Sequence, residues 1–307
     1  MDCDLLVLGG GPAGLTAGLY GARGGLRTVI LERGIPGGWA GQTDRIENYP
    51  GFPEGIDGMD LAARFAEQAR RCGAQLETAT VTGVDFGGPQ KRVLADGREF
   101  TAGAVIVATG ASPRSLQVPG EETFRGRGVS YCATCDGAFF RGKKVAVVGG
   151  GDSAVEEALF LTRFAAGVTI IHRRDRLRAA QILQRRAMEN PKITFYWSTT
   201  VEAILGGNKV ETLRLRDVQS GTVREEEFDG IFIFIGQKPN TDFLQGILEL
   251  DEQGYIITRE DLSTSVAGVY AAGDVRSKAF RQVATAVGDG AAAAMAAEKY
   301  LADLTRR

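Results

Sequence analysis

The first candidate for chemistry is a pair of cysteines separated by two residues, Cys132 and Cys135, with Asp136 directly after them. A Cys-x-x-Cys pair can cycle between a dithiol and a disulfide. Such exchange needs an acid that protonates a leaving thiolate, and Asp136 is adjacent, although an aspartate here can equally cap a helix or a turn. The spacing therefore predicts that Cys132, Cys135 and Asp136 are the catalytic residues of a redox centre.

Metal binding and a helix-opening redox motif are the alternatives for this pair. Zinc needs two more ligands, but His172 is the only histidine and the remaining cysteines, Cys3 and Cys72, stand alone, so no metal is expected. A motif that opens the helix of a small βαβ redox domain is disfavoured, because a short glycine-containing link and a strand at 144–148 follow the pair. Four cysteines in this arrangement are also not the framework of a secreted disulfide-rich protein.

An internal repeat predicts two nucleotide sites. Residues 5–14 (LLVLGGGPAG) align without a gap on residues 145–154 (VAVVGGGDSA), an offset of 140 positions. Each copy indicates a strand, a glycine-rich turn and a helix, in which the glycines permit a tight turn and let a pyrophosphate approach the helix N-terminus. The candidate contacts are Gly9, Gly11, Pro12, Ala13 and Gly14 in the first copy and Gly149, Gly151, Asp152, Ser153 and Ala154 in the second.

The two copies differ where the second strand ends. Glu32 lies 18 residues after Gly14, where a carboxylate accepts hydrogen bonds from ribose hydroxyls and repels a 2′-phosphate. At the same offset from Ala154 the second copy has a histidine, and guanidinium groups, which suit a phosphate, follow it. A solvated, basic helix start is the alternative explanation of those arginines. The second copy thus predicts an NADP(H) site with His172, Arg173, Arg174 and Arg178 at the 2′-phosphate.

Two further strand ends are expected to complete the first site. One buried strand at 104–108 ends at Thr109 and Gly110, and another ends at Asp274, although an aspartate after a strand is more often a cap than a ligand. An alanine-rich helix follows, and its first residues can turn backbone N–H groups toward a ligand. The residues expected here are Thr109, Gly110, Asp274, Arg281, Gln282, Val283 and Ala284.

These sites predict an α/β protein with two Rossmann-like domains, an NADPH-binding domain being inserted into an FAD-binding domain. A dithiol beside a flavin explains the cysteine pair best, because NADPH can give a hydride to FAD, which passes two electrons to a disulfide. We expect residues 1–113 and 244–307 to form the FAD-binding domain, and residues 114–243 to form the NADPH-binding domain with the cysteine pair. NADPH and the dithiol must both reach one flavin, so rotation of the inserted domain about its two crossings is expected.

Composition sets the wider class. The chain has 307 residues, 44% hydrophobic and 24% charged, with a formal net charge of −2. That balance gives no electrostatic case for nucleic acid or a membrane surface, and no stretch reaches the roughly 18 apolar residues of a spanning helix. The first residues lack the basic region of a signal peptide, so a cytoplasmic enzyme is expected.

The sequence resembles the low-molecular-weight thioredoxin reductases over nearly the whole chain. The resemblance depends on GGGPAG at 9–14, IENYPGF at 46–52, CATCD at 132–136, GGGDSA at 149–154, HRR at 172–174 with Arg178, and GD at 273–274. It implies a homodimer in which NADPH reduces FAD, FAD reduces the Cys132–Cys135 disulfide, and this pair reduces oxidised thioredoxin. It also implies that Cys135 faces the flavin, that Cys132 attacks thioredoxin, and that Asp136 is the acid.

Further FAD contacts are implied by the same resemblance. Asn48 lies in the 46–52 segment, and the family commonly carries a Gly-Gly-Gln motif before it. This chain has Gly37-Gly38-Trp39 instead, with a glutamine only at Gln42. Either Gln42 or Trp39 is therefore expected to take the place of the usual glutamine.

Other activities remain as alternatives. A flavin-dependent dithiol oxidase that uses O₂ needs no 2′-phosphate pocket, so the arginines after His172 disfavour it. A reductase of another small redox protein, such as a glutaredoxin-like partner, is compatible with the same residues. A peroxiredoxin-reductase subunit needs an additional N-terminal redox domain, and a non-catalytic redox sensor needs no ordered path for electrons.

Overall fold

The computed structural model describes residues 2–42, 46 and 48–305, and for residues 134, 135 and 305 it describes the backbone alone. The strands are β1 (Cys3–Leu8), β2 (Thr28–Glu32), β3 (Gln75–Thr78), β4 (Val81–Asp85), β5 (Lys91–Ala95), β6 (Arg98–Val107), β7 (Ala111–Pro113), β8 (Val129–Ser130), β9 (Lys144–Gly149), β10 (Gly167–Ile171), β11 (Ile193–Tyr196), β12 (Thr199–Leu205), β13 (Thr212–Asp217), β14 (Val223–Glu227), β15 (Gly230–Phe234), β16 (Gln237–Pro239) and β17 (Val269–Ala271). The helices are α1 (Pro12–Arg23), α2 (Gly58–Arg71), α3 (Ala133–Asp136), α4 (Asp152–Leu161), α5 (Gln181–Met188) and α6 (Val283–Thr305), with 3₁₀ turns at Ala40–Gln42, Gly137–Phe140, Asp242–Leu244 and Gly273–Val275.

The chain divides into two compact units. Unit 1 comprises Met1–Ser112 and Lys238–Arg307, and unit 2 comprises the intervening Pro113–Gln237. The two segments that cross between the units, β7 and β16, pair with each other as a two-stranded sheet. The sequence-based bounds of the inserted domain, residues 114 and 243, stay predictions. Which nucleotide each unit binds stays a prediction.

Unit 1 is built on a seven-stranded sheet in the order β3-β2-β1-β6-β5-β4, with β17 also paired to β6. Its first four strands run parallel, while β4, β5 and β6 form an antiparallel meander. The run 5–8 of β1 is wholly buried, as expected of a parallel strand that is covered on both faces. Leu5 and Val7 pack with α1 and α6, whereas Leu6 and Leu8 pack with β5 and residues 244–256.

Unit 2 repeats this plan around a five-stranded parallel sheet in the order β11-β10-β9-β15-β8. Val145 and Val147 of β9 pack with α4 and α5 on one face. Ala146 and Val148 pack on the other face against the antiparallel sheet of β12, β13 and β14. The predicted α/β class, with one Rossmann-like unit inserted into another, is confirmed by this architecture.

Within residues 2–42, 46 and 48–305, none of the helices has the length and apolar character needed to cross a membrane. In the same ranges, no three His, Cys, Asp or Glu side chains are grouped so that they could hold a metal ion.

Candidate functional site

The turn between β1 and α1 is shaped by close backbone approach. Gly9 has φ of +108°, and a Cβ placed on it would lie 2.4 Å from the carbonyl oxygen of Ala108. A Cβ on Gly14 would lie 1.8 Å from the carbonyl oxygen of Gly9, so only glycine lets α1 start this close to the sheet. At Gly11 the nearest atom would be 4.0 Å away. The N-terminus of α1 is therefore open at Gly11, and a pyrophosphate fits there.

Glu32, at the end of β2, is held beside this turn. Its Oε2 accepts a hydrogen bond from the N–H of Gly10 at 2.7 Å, and its Oε1 accepts one from the N–H of Gly34 at 3.0 Å. A carboxylate oxygen can accept more than one hydrogen bond, so the fixed Glu32 can still accept from ribose hydroxyls. The position of Glu32 therefore fits its expected role as an acceptor for the ribose hydroxyls of a nucleotide.

The Gly37-Gly38-Trp39 segment also lies against the first turn. The N–H of Gly37 donates to the carbonyl oxygen of Gly10 at 2.8 Å. The indole N–H of Trp39 donates to the carbonyl oxygen of Ala111 at 2.7 Å, so the only polar donor of this side chain is engaged by the backbone. Gln42 is exposed at the end of the 3₁₀ turn. Which of Gln42 and Trp39 takes the place of the family's usual glutamine stays a prediction.

The turn that carries Asp274 rests on the first turn of α1. Gly273 has φ of +80°, and a Cβ on it would lie 2.8 Å from the Cβ of Ala13. A Cβ on Gly290 of α6 would lie 2.2 Å from the carbonyl oxygen of Ala13. The start of α1, the Asp274 turn and α6 are thereby brought together, as the sequence predicts for a single site. Asp274 Oδ1 is buried and has no hydrogen-bond partner among the described residues.

The residues before α6 make contacts of their own. The side-chain amide of Asn48 donates to Oε1 of Gln282 at 2.9 Å, so two expected FAD contacts bind each other. The guanidinium carbon of Arg281 lies 3.9 Å from the ring centroid of Tyr255. Arg281 Nε is buried without a hydrogen-bond partner in the described part of the chain. Val283 begins α6 and Ala284 is exposed in its first turn.

Thr109 and Gly110 form a turn that is tied to Asn240. The Thr109 hydroxyl donates to the carbonyl oxygen of Asn240 at 2.9 Å, and the Asn240 side-chain amide donates to the carbonyl oxygen of Thr109 at 2.8 Å. Gly110 has φ of +65° and accepts a hydrogen bond from the N–H of Asn240. Asn240 is a site-shaping residue that the sequence did not single out, because only the fold brings it to this turn.

The second glycine-rich turn, between β9 and α4, follows the same design. A Cβ on Gly149 would lie 2.4 Å from the carbonyl oxygen of Phe234, whereas no atom would lie within 4 Å of a Cβ on Gly151. Oδ1 of Asp152 accepts a hydrogen bond from the N–H of Ala180 at 2.7 Å. Ser153 is exposed and Ala154 is buried against the turn. The open position therefore corresponds to that of Gly11 in the first copy.

His172 is buried, with 5% of its surface exposed, and its ring packs against Gly150 and edge-on to Trp197. Burial lowers the pKa of His172, and the positive charge of Arg178 acts in the same direction. The imidazole is therefore neutral at neutral pH, since an unperturbed histidine already titrates near 6.5. Its role toward a 2′-phosphate stays a prediction, and any such role would be steric or by hydrogen bonding.

The cationic groups of this site are the guanidinium groups of Arg173, Arg174 and Arg178. All three residues are exposed, and none forms an ion pair with a described residue. The backbone N–H of Arg178 donates to the carbonyl oxygen of Gly150 at 2.6 Å, so the arginine segment lies next to the glycine-rich turn. Unpaired arginines beside an open helix N-terminus favour a phosphate ligand over a solvated surface.

The redox segment joins β8 to α3 in unit 2. Cys132 is half-buried and disulfide-bonded, while Cys3 and Cys72 are free. The N–H of Asp136 donates to the carbonyl oxygen of Cys132 at 3.2 Å, which places the half-buried Asp136 one turn from Cys132. The side chain of Cys135 lies outside the described part of the structure, so its pairing and role stay predictions.

The two free cysteines, Cys3 and Cys72, belong to unit 1. Burial raises the pKa of Cys3 to about 12, so its thiol is not reactive at neutral pH. Cys72 is half-buried at the C-terminal end of α2. Both fit a structural role.

Comparison with known proteins agrees with this geometry. The family described as "Pyridine nucleotide-disulphide oxidoreductase" matches residues 3–290. The thioredoxin reductase of Bacillus subtilis (strain 168) is 48% identical over 302 residues, which cover 98% of this chain and 95% of that protein. The structure of Lactococcus lactis thioredoxin reductase (FR conformation) has a TM-score of 0.95 at 47% identity and covers 98% of this chain and 99% of that one. The T. acidophilum thioredoxin reductase structure has a TM-score of 0.92 at 36% identity, covering 97% of this chain and 98% of that one.

The resemblance inferred from the sequence motifs is thus confirmed at the level of whole-chain identity and of fold. The chain belongs to the pyridine nucleotide-disulphide oxidoreductase family, among its thioredoxin reductases.

Proposed function

We propose that this chain is an NADPH-dependent thioredoxin-disulfide reductase that uses FAD. The observation that carries the proposal is the disulfide of Cys132 within the same compact unit as the arginine-flanked turn at Gly149–Gly151. The other unit carries the turn at Gly9–Gly11 with Glu32, which suits a nucleotide without a 2′-phosphate. When bound, FAD supplies the two-electron chemistry that links NADPH to a disulfide.

The nucleotide contacts are assigned by unit. In unit 1, Glu32 and the open N-terminus of α1 would bind the FAD nucleotide, with Asp274 and the start of α6 beside them. In unit 2, Gly151 and the N-terminus of α4 would bind the NADPH pyrophosphate, and the three arginines would bind its 2′-phosphate. The remaining expected contacts follow these assignments: Gln42, Asn48, Thr109, Gly110, Gln282, Val283 and Ala284 for FAD, and Asp152, Ser153 and His172 for NADPH.

Cys132 and Cys135 would reduce thioredoxin by thiol–disulfide exchange. In the reduced pair, the thiolate of Cys132 attacks one sulfur of oxidised thioredoxin, and the other thioredoxin sulfur leaves and takes a proton that Asp136 can donate. The Cys135 thiol then gives up its proton and its thiolate attacks Cys132, which re-forms the disulfide and releases the second thioredoxin sulfur, and that sulfur takes up the proton as a thiol. Cys132 is half-buried, so it is accessible enough to meet a protein partner. Rotation of unit 2 about the two crossing segments is part of this proposal, because both half-reactions need the same flavin.

The test is NADPH-dependent reduction of a disulfide-bonded thioredoxin by the purified protein. Cys132→Ser and Cys135→Ser should each abolish turnover, while Cys72→Ser, a matched control, should retain it. Oxygen consumption without thioredoxin reduction would instead favour a dithiol oxidase. Undiminished turnover in either of the first two variants would refute the assigned route.

We also propose that the protein is a homodimer in the cytoplasm. The dimer is supported by the family resemblance, and the compartment by the free thiols of Cys3 and Cys72. Analytical ultracentrifugation across a concentration series tests the dimer, and a sedimentation coefficient of a monomer throughout would contradict it. Fractionation of cells that express the tagged protein tests the compartment.

A further inference from the structure

Asp289, on α6, is the centre of a largely buried charge network in unit 1. Its carboxylate accepts hydrogen bonds from the backbone N–H of Gly273, from Nη1 of Arg276 and from Nζ of Lys278, each at 3.0 Å. The side chains of Asp289, Arg276 and Lys278 are only 14%, 17% and 10% exposed. Charges this far from solvent are weakly screened, so each strongly affects its neighbours.

Lys278 lies between two carboxylates. Its Nζ is 3.0 Å from Asp289 Oδ2 and 3.6 Å from Asp274 Oδ1, a distance that makes an ion pair but not a hydrogen bond. Burial raises the pKa of Asp274, and the positive charges of Lys278 and Arg281 oppose that shift. Of these two cations, Lys278 is the one for which an ion pair with Asp274 is seen.

The same network fixes the backbone that presents Asp274. The N–H of Gly273, directly before Asp274, is held by Asp289, and Gly273 itself touches Ala13 at the start of α1. Asp274 Oδ1 is buried and has no hydrogen-bond partner among the described residues, while 32% of the side chain is exposed, so this oxygen can still accept a hydrogen bond from a ligand. Asp289 thus sets the position of the Asp274 turn, and Lys278 sets the charge beside it.

We propose that Lys278, held in place by Asp289, is a positioning residue for FAD that acts through Asp274. The inference rests on the proposed function, because FAD is the ligand assigned to this part of unit 1. Lys278 would keep the Asp274 carboxylate ionised and oriented, so that its Oδ1 can accept a hydrogen bond from a flavin nucleotide hydroxyl. A purely structural lysine, or one that binds FAD directly, would act independently of Asp274.

A double-mutant cycle separates these roles. The rate of FAD release from the holoenzyme is measured by the rise in flavin fluorescence after dilution, for wild type, Lys278→Met, Asp274→Asn and the double variant. Lys278→Met should speed release about tenfold in the wild-type background, since coupled buried groups show interaction energies of this size. In the Asp274→Asn background the same change should alter release by less than about twofold. An equal acceleration in both backgrounds, or none in the wild type, would overturn the inference.

The controls are chosen on the same helix and in the same network. Lys299→Met removes an exposed lysine of α6 and should leave FAD release unchanged. Asp289→Asn should accelerate FAD release as Lys278→Met does, because it removes the carboxylate charge that holds Lys278 in place. If Lys278→Met gives no folded holoenzyme, Lys278→Arg takes its place in the cycle, and release as fast as from Asp274→Asn despite the retained charge would contradict the proposal.

Thioredoxin reduction measured on the same preparations distinguishes this inference from the proposed function. If the protein binds FAD and reduces thioredoxin, but the effects of Lys278→Met and Asp274→Asn on FAD release are additive, only the inference about Lys278 is contradicted. If the wild-type protein binds no FAD, both the proposed function and the inference about Lys278 are contradicted.

Discussion

The hydroxyl of Tyr131 donates a hydrogen bond to Oε1 of Glu121 at 2.6 Å, and the residue after Tyr131 is the disulfide-bonded Cys132. Glu121 is only 2% exposed, and it also accepts hydrogen bonds from the backbone N–H groups of Leu116, at 2.8 Å, and Gln117, at 2.6 Å. One buried carboxylate therefore ties the beginning of unit 2 to the redox segment.

Removal of this carboxylate should destabilise unit 2 strongly. Glu121→Ala leaves two backbone N–H groups and the Tyr131 hydroxyl without their acceptor, and each buried unpaired group costs about 1–3 kcal/mol. We expect a loss of about 4 kcal/mol in the free energy of unfolding, measured by urea denaturation followed by circular dichroism. Glu122→Ala, whose side chain is 73% exposed, is the matched control and should change stability by less than about 0.5 kcal/mol. Equal effects of the two variants would contradict the network.

The same contact predicts a change in alkaline stability. Burial raises the pKa of Tyr131, and the hydrogen bond to Glu121 adds to the shift. In the unfolded chain this tyrosine loses its proton at about pH 10, whereas in the folded protein it does so only at a higher pH. The free energy of unfolding is therefore at its full value below pH 10 and declines as the pH rises above 10. Tyr131→Phe should make the decline between pH 9.5 and 11 shallower, whereas Tyr20→Phe, at an exposed residue, should not. Parallel pH profiles for wild type and Tyr131→Phe would show that Tyr131 does not cause it.

The features that sequence could predict are those that local geometry imposes. The two glycine-rich turns were predictable because each requires a residue without Cβ at a fixed distance from a strand end, as Gly9 and Gly149 show. Glu32 and the arginines followed from their fixed offset in the repeat. In each case the residue type is required by nearby positions of the same βαβ unit, so the pattern can be recognised in the sequence.

Glu121, Asn240 and the burial of His172 were not predictable in that way. Asn240 and His172 depend on residues that are distant in sequence and become neighbours only in the fold, such as Thr109 for Asn240 and Trp197 for His172. The partners of Glu121 lie only 4, 5 and 10 residues away, but the irregular backbone around it has no periodicity that predicts the contact. Asp289 did leave a signal, because it falls on the helical face of buried Ala286 and Ala293. A lone acid on an apolar helix face points to a buried partner, and its partners Arg276 and Lys278 precede α6.

The assignment of one nucleotide to each turn can be tested with two alanine substitutions. Gly11 has φ of −76° and Gly151 has φ of −94°, so alanine fits both backbones, and neither Cβ would clash with protein. Gly11→Ala should reduce the bound FAD per chain, measured by flavin absorbance, because a methyl group would stand where the pyrophosphate approaches. Gly151→Ala should retain FAD and raise the KM for NADPH. A loss of FAD in the Gly151→Ala variant would contradict the assignment.

Cofactor preference should depend on the exposed arginines after β10. Arg173→Ala, Arg174→Ala and Arg178→Ala each remove a charge that is unpaired among the described residues. Because a hydrogen bond to a charged group contributes about 1.5–3 kcal/mol, we expect the KM for NADPH to rise roughly 10–100-fold in the most affected variant. The KM for NADH should stay the same, and Arg185→Ala on α5, also exposed, serves as the control. Equal increases in the KM for NADPH and for NADH would show that these arginines do not bind the 2′-phosphate.

The surface next to the redox segment should recognise the protein substrate. Phe139 lies in the 3₁₀ turn directly after Asp136 and is 73% exposed, which is unusual for a large aromatic side chain. An aromatic residue in this position can become buried against a partner that approaches Cys132, and truncation of such residues commonly costs more than 1 kcal/mol. Phe139→Ala should therefore raise the KM for thioredoxin about tenfold while the reduction of FAD by NADPH, followed by stopped-flow absorbance, keeps its rate. Met188→Ala, 57% exposed on α5 of the same unit, should alter neither quantity, and an unchanged KM in the Phe139→Ala variant would place the partner on another surface.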